Sequence, residues 1–341
     1  MSKFDLQAWL QALPKAEVHL HLEGAIPLDT LFQLIKKYNG DDSIKTLKHL
    51  QDRLIYNDFS EFIETWLWKN NFLREYDDFA FIAEAAATDL VRHNIHYAEI
   101  FFSPARFSGN KLSVTGLAQA IRRGLDRVDG VEVWLIADLV RDLGPESGAR
   151  TVAEADEARE FGIVGIGMGG SEHRFPPQPY AELYEDARRR GFRTGAHAGE
   201  AAGADSVRRV VEALQVDRIG HGTRSEEDPS LVALLAERGI PLEVCPLSNL
   251  ATGVVADIAA HPVRRYHDAG IPVTINTDDP GMFHNTLVEE YALLHDVHNF
   301  TPAEIQGLVL NALDAAWRPE RDGPSLRKTF TNDPGWRLPN G

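Results

Sequence analysis

A chain of 341 residues, 43% hydrophobic and 25% charged, has the make-up of a soluble globular protein and is long enough for one large α/β domain or two ordinary ones. Its 51 acids against 35 bases, a net charge of −16, discourage nonspecific association with nucleic acid, whose phosphates need Lys and Arg to neutralise them. One cysteine, Cys245, excludes an internal disulfide framework, and no segment reads as a signal peptide or a bilayer-spanning run, so the expectation is a cytoplasmic protein with no membrane partner.

The first expected strand, 16–21, lies in KAEVHLHLEG and sets His19 and His21 two residues apart, on one side of the sheet. A long helical stretch follows, in which DFSEFIETWLWKNNFL places Phe59, Phe62, Ile63 and Trp66 at helix-face spacing. Most of these read as core; an aromatic run inserted here could also form a hydrophobic gate of Phe59, Phe62 and Trp66 over a site. Strands are expected at 96–103 and 132–139, in NIHYAEIFFSP and VEVWLIADLVRD. From there the chain repeats a helix, a glycine and a short apolar run: EAREFG then IVGIGMGG, EDARRRG then FRTGAHAGE, VALLAERG then IPLEVCPLSN, RRYHDAG then IPVTINTDDP. Gly162, Gly191, Gly239 and Gly270 fit left-handed helix caps. These units and DRIGHG give strands at 163–168, 193–198, 217–221, 241–245 and 271–277.

Eight strands alternating with helices imply a parallel sheet, and eight such units favour a closed (β/α)₈ TIM barrel with extra helices between strands 1 and 2. A doubly wound sheet would carry a glycine-rich phosphate loop after its first strand; EVHLHLEGAIP is not one, and GIGMGG lacks the spacing. Residues 1–341 read as a single domain, with 330–341 as a polar tail.

In such a barrel the chemistry sits at the C-terminal ends of the strands. His19 and His21 end the first strand there, His197 the fifth with Glu200 three residues on, His221 the sixth, and Asp278 and Asp279 the eighth. Each alone has a structural explanation, as a buried polar residue, a turn or a helix cap. Together they place three carboxylates among the imidazoles of one barrel mouth, and those are suitable zinc ligands. Cys245 lies on a strand with no basic neighbour in sequence and reads as a small buried hydrophobe. The chain has no lysine between Lys111 and Lys328, so a two-metal site bridged by a modified lysine on a middle strand is excluded.

HLHLEG, GGSE, TGAHAGE, IGHG, EVCPLSN and TINTDDP, in this order, resemble the adenosine deaminase branch of the amidohydrolase superfamily from about residue 14 to about residue 315. The resemblance implies one zinc ion held by His19, His21, His197 and Asp278. It implies that Glu200 gives a proton to N1 of a purine and that His221 and Asp279 orient the attacking water. His21, Glu23, Gly170 and Asp279 would meet the substrate, Gly170 through its backbone and Glu23 at the sugar. Two features depart from adenosine deaminases: Glu23 stands where they often carry Asp, and Ser171 in GMGGSE replaces an acid. The implied reaction is hydrolytic deamination of a 6-aminopurine nucleoside, adenosine first. 6-Amino-6-deoxyfutalosine and free adenine are alternatives within the class, and a metal-binding module without catalysis is the alternative outside it.

Overall fold

The computed structural model describes residues 5–56, 59–319 and 325–338. Eight strands pair in parallel in chain order: β1 (Lys15–His21), β2 (Ile95–Phe102), β3 (Glu132–Val140), β4 (Ile163–Gly169), β5 (Arg193–Ala198), β6 (Arg218–His221), β7 (Leu242–Val244) and β8 (Val273–Ile275). Beyond the end of β8, Leu20 bridges to Asp278 and the His21 N–H donates to the Asp278 carbonyl at 2.9 Å, which closes the sheet into a (β/α)₈ barrel. All eight expected strands are present. Gly162, Gly191, Gly239 and Gly270 all take positive φ where the preceding helix or turn ends.

β8 is shorter than expected for a local reason. The Asn276 side chain turns back, and its Oδ1 accepts from the Val18 and His19 N–H groups at 2.9 and 3.1 Å. A side chain thus replaces the backbone ladder beside an irregularity in β1 between Glu17 and Leu20. Such irregularities re-aim side chains near active sites, and this one lies beside His19.

The barrel floor departs from the usual layers of branched aliphatics. Arg218 of β6, 1% exposed, ion-pairs with Glu99 of β2 at 2.7 Å and Glu243 of β7 at 2.5 Å. Its guanidinium lies 3.6 Å from the ring centroid of Trp317, which follows the helix Pro302–Ala315. Trp317 also donates its backbone N–H to Glu99, and Glu243 reaches upward to His19. The charged floor and the site above it form one connected network.

The stretch between β1 and β2 forms the helices Leu28–Lys37, Leu47–Arg53, Phe59–Asn70 and Tyr76–Arg92. Phe59–Asn70 is tied to the β8 end of the barrel: Phe62 packs with Met282, and the Trp66 indole N–H lies 3.3 Å from Asp279 Oδ1. The Phe59 side chain lies outside the described residues. Residues 330–338 were expected to begin a polar tail but are partly docked, because Phe330 is 1% exposed at the end of Leu326–Asn332 and Trp336 O accepts from the Gln306 amide. No described helix is long and apolar enough to cross a membrane.

Candidate active site

β1 ends with His19 and His21 directed into the barrel mouth, where they meet His197 from β5 and Asp278 just past β8. One nitrogen or oxygen from each of the four lies within 4.8 Å of the others, and all four residues are buried or nearly so. His21 and His197 bring their Nε2 atoms to 3.1 Å, and Asp278 Oδ1 stands 3.4 Å from His21 Nε2 and 3.5 Å from His19 Nε2.

Partners behind the cluster set the tautomers. His19 Nδ1 lies 2.6 Å from Glu243 Oε2, and His197 Nδ1 lies 3.2 Å from the Met168 carbonyl. Both Nδ1 positions therefore carry the proton, and the Nε2 lone pairs converge. Ser248 donates to Asp278 Oδ2 at 2.6 Å and leaves Oδ1 for the cluster. Burial pushes His21 down to about 3 and His197 well below the ordinary imidazole range, so both are neutral, as metal ligation requires. Burial also acts against a charge on His19, but the carboxylates of Asp278 and Glu243 outweigh it and raise His19 to about 10, so with no ion at the cluster its Nε2 holds a second proton, one that a metal would displace. Burial opposes ionisation of Asp278 too; the close approach of His19 and the surrounding imidazoles prevail and hold it far below the carboxylate range.

Three imidazole nitrogens and one carboxylate oxygen are a fitting zinc donor set. A buried His19 Nε2 with no hydrogen-bond partner among the described residues points the same way. Cys245 Sγ stands equally close to His19, His221 and Asp278, but burial raises its thiol well above the ordinary value and it faces Glu243 O at 3.5 Å. It remains a buried thiol.

Glu200 and His221 face this cluster. Glu172, of the GGSE segment, accepts the Gly199 N–H on one oxygen at 2.6 Å; its other oxygen accepts those of Glu200, Ala201 and Ala202 at 2.9–3.1 Å. That carboxylate holds the loop carrying Glu200. Burial, then the charges of Asp278 and Glu172, raise the Glu200 carboxyl well above its ordinary value, which favours its protonated form. His221 Nε2 lies 3.7 Å from Glu200 Oε2. Asn249 offers its amide nitrogen to His221 Nδ1 at 3.1 Å while its oxygen accepts from Thr223 and faces His261. The amide orientation makes Nδ1 an acceptor and Nε2 the protonated nitrogen of His221. Burial and the Asp278 charge raise Asp279 in the same way as Glu200. His221 and Asp278 both hold positive φ, at 61° and 69°, a backbone cost that side-chain-bearing residues sustain chiefly at functional sites.

A cleft open to solvent, about 620 Å³ of empty space, lies above these groups. Its walls include His21, Glu200, His221, Asp279 and Gly170, with Phe62, Ile63 and Trp66 from the inserted helix. Gly170 has φ +103°, and a Cβ there would lie 2.2 Å from Asp142 Oδ2, so only glycine fits. Ser171 turns away to Asp142, with its hydroxyl at 2.5 Å. Glu23 does not line the cleft; it is fully buried, with one oxygen accepting the Ser103 N–H at 2.9 Å and the other without a hydrogen-bond partner among the described residues.

Four residues near the cleft carry no signal in the motifs. Asp138, at the end of β3, lines it with Oδ1 unpartnered among the described residues; burial, then Glu23, raise it to about 7. A lone acid inside the apolar run WLIADLV was the available clue. Ser103 and Arg106 come from the loop after β2 and line the cleft as well. Lys69, buried on the inserted helix, donates to the Glu23 carbonyl, and burial brings it down to about 8.

A (β/α)₈ barrel that gathers three imidazoles and a carboxylate beside a buried acid has the build of a metal-dependent hydrolase. Residues 14–331 match the adenosine deaminase family, and the chain belongs to it. It is 36% identical over 318 residues to an adenine deaminase of Rhizobium leguminosarum bv. trifolii, covering 92% of this chain and 98% of that one. It is 34% identical over 319 residues to an aminodeoxyfutalosine deaminase of Streptomyces avermitilis, covering 92% and 89%. Among solved structures it superposes on an adenine deaminase from Arthrobacter aurescens with a TM-score of 0.86, at 28% identity over 94% of this chain and 98% of that one. A zinc-bound amidohydrolase from Burkholderia ambifaria gives a TM-score of 0.85 at 29% identity, covering 94% and 90%. The protein is thus a metal-dependent hydrolytic deaminase, and the alternative of a non-catalytic metal-binding module falls.

Proposed function

We propose that this protein deaminates a 6-aminopurine nucleoside at C6, with adenosine the simplest substrate, and uses one zinc ion held by His19, His21, His197 and Asp278. The observation that carries the reading is the Glu200 carboxyl, whose protonated form burial and neighbouring charge favour, in the same cleft as the metal-ligand cluster. Zinc would supply Lewis acidity that brings the pKa of a water from 15.7 towards ~7.

Glu200 gives its proton to N1 as the oxygen of the water bonds to C6, so the ring electrons move onto N1. The His221 Nε2–H donates a hydrogen bond to that oxygen, and Gly170 lets the ring edge approach the backbone. The C6–N6 bond then breaks and C6=O forms. The two protons of the water end on the departing ammonia and on Glu200, relayed through Asp279. Phe62 and Trp66 shield the ring from bulk water, the role expected of a gate. Adenine and 6-amino-6-deoxyfutalosine remain alternatives, supported by the names of the curated relatives. The single cysteine and acidic composition support a cytoplasmic location.

The test is ammonia release by zinc-loaded protein offered adenosine, adenine and 6-amino-6-deoxyfutalosine side by side. Glu200→Gln should cut turnover by about 10²–10⁴-fold, the usual worth of positioned proton transfer, and keep its zinc. Undiminished turnover in that variant would remove Glu200 as the proton donor.

A further inference from the structure

A neutral His221 can donate to a reacting oxygen only while its proton sits on Nε2, and the groups that fix that choice lie behind the ring, away from the cleft. Its Nδ1 faces the Asn249 amide at 3.1 Å. The same amide turned over would present its oxygen instead and draw the proton to Nδ1. Thr223 does not decide between the two orientations, because a hydroxyl 2.6 Å from that amide can donate to an oxygen or accept from a nitrogen. The deciding contact is His261, whose Nε2 stands 3.1 Å from the Asn249 oxygen.

His261 itself has one tautomer open to it. It lies just before the helix Val263–Asp268, and its Nδ1 accepts the Val263 N–H at 3.2 Å. A backbone N–H can only donate, and the first N–H groups of a helix have no partner within it. His261 Nδ1 is therefore bare, and the neutral ring carries its proton on Nε2. The ring is buried, and burial first brings it down to about 3, which keeps it neutral. Its Nε2–H needs an acceptor, so the amide oxygen must face it and the amide nitrogen must face His221. Asn249 and Thr223 are buried as well, and the opposite orientation would set donor against donor where no partner is to spare.

We propose that His261 is a positioning residue for His221. The Val263 N–H, the His261 ring and the Asn249 amide form a one-way chain of hydrogen bonds that ends in the His221 Nε2–H, and none of the three lines the cleft. The chain accounts for an amide behind the ring: a carboxylate accepting from Nδ1 leaves Nε2 a base, as in the serine protease triad, whereas an amide nitrogen leaves Nε2 a donor. This inference rests on the reading of His221 as the donor to the attacking oxygen.

The experiment uses zinc-loaded protein with isotope-labelled histidine, and long-range nitrogen–proton NMR correlations that show which ring nitrogen carries the proton. His221→Gln and His261→Gln assign the two rings, and both should be protonated on Nε2 in the native protein. Asn249→Asp sets an oxygen against His221 Nδ1 and should bring a proton there. Its kcat for ammonia release, from whichever of the three purines above is turned over, should fall about tenfold or more with KM little changed; a reversed imidazole costs a serine protease ~10⁴. Thr223→Val/His261→Phe frees the amide to turn, so a fraction of His221 protonated on Nδ1 should appear. Thr223→Val/His261→Gln, whose amide nitrogen reaches to where Nε2 stood, should remove that fraction. A proton on Nδ1 of either native ring, a His221 proton unmoved in both Asn249→Asp and Thr223→Val/His261→Phe, or a moved proton with kcat unchanged overturns the proposal. His221→Gln deaminating at the native rate would remove the donor reading instead, and the tautomers would still report whether the chain exists.

Discussion

Replacing Arg218 by Met tests whether the charged barrel floor is a single unit. The guanidinium serves two buried carboxylates, Glu99 and Glu243, and stacks on Trp317. Removing one partner of a buried pair costs ~3–5 kcal/mol, because the charge left behind has lost its water as well. Two carboxylates would be stranded here, but each keeps a second partner: Tyr97 donates to Glu99 at 2.5 Å, and Glu243 retains His19 at 2.6 Å. One broken pair, about 4 kcal/mol, is therefore the better figure. At ~2.1 cal/mol/K per residue the unfolding entropy of this chain is about 0.7 kcal/mol/K, which converts the loss to a fall in Tm of about 6 °C.

The loss should also depend on pH. Burial pushes the Glu243 carboxyl up, and the Arg218 charge is the largest force holding it below its ordinary value. In Arg218→Met burial prevails, and the folded-state pKa of Glu243 rises above the ~4.3 of the unfolded chain. The folded variant then binds a proton that the unfolded chain has released, so its stability falls as pH rises through that window. Scanning calorimetry of both proteins at pH 5.5 and pH 8, at equal zinc, should show the larger deficit at pH 8, and Glu99→Gln added to the variant should recover part of it. A Tm within a degree or two of the native value at both pH values would refute the account of the floor as an interdependent charge network.

Glu172→Gln removes the carboxylate that gathers four backbone N–H groups around Glu200. Charge-assisted hydrogen bonds contribute ~1.5–3 kcal/mol, so kcat/KM should fall by about 10–100-fold with zinc content intact. Because the Glu172 charge also raises Glu200, the alkaline limb of the pH–rate profile should move to lower pH. Lys15, buried with its ammonium on the Leu10 and Leu13 carbonyls, is brought down to about 7 by burial. Between about pH 7 and ~10.4 the unfolded chain holds more protons at this site than the folded one, so native stability should rise across that interval. Urea unfolding at pH 7 and 9 should show a rise larger by about 2 kcal/mol in the native protein than in Lys15→Met.

The strands were legible from local signals: a glycine cap before four of them, and for others a polar residue where the chain leaves the barrel. The clustering of His19, His21, His197 and Asp278 was legible for the same reason, since they sit at strand ends whose geometry the barrel dictates. What stayed hidden depends on partners distant in sequence. Glu99, Arg218, Glu243 and Trp317 meet only once three strands and a later helix are assembled. Glu172 stood inside a quoted motif, yet that it cradles four N–H groups is a property of the folded loop. Asp138, Arg106 and Lys69 belong to no repeating pattern at all, and Asn276 replaces strand pairing in a way no periodicity announces.

The join between β8 and β1 rests on one bridge and on side chains, Asn276 on the Val18 and His19 N–H groups and Glu17 on Thr277, where other neighbours share backbone ladders. Two imidazoles of the candidate metal cluster, His19 and His21, stand on β1, and its carboxylate, Asp278, stands at the other side of that join. An ion held there would fasten the first strand to the last. Loss of such an ion would then loosen this join, and would shorten the lifetime of the fold as well as lower the rate of turnover.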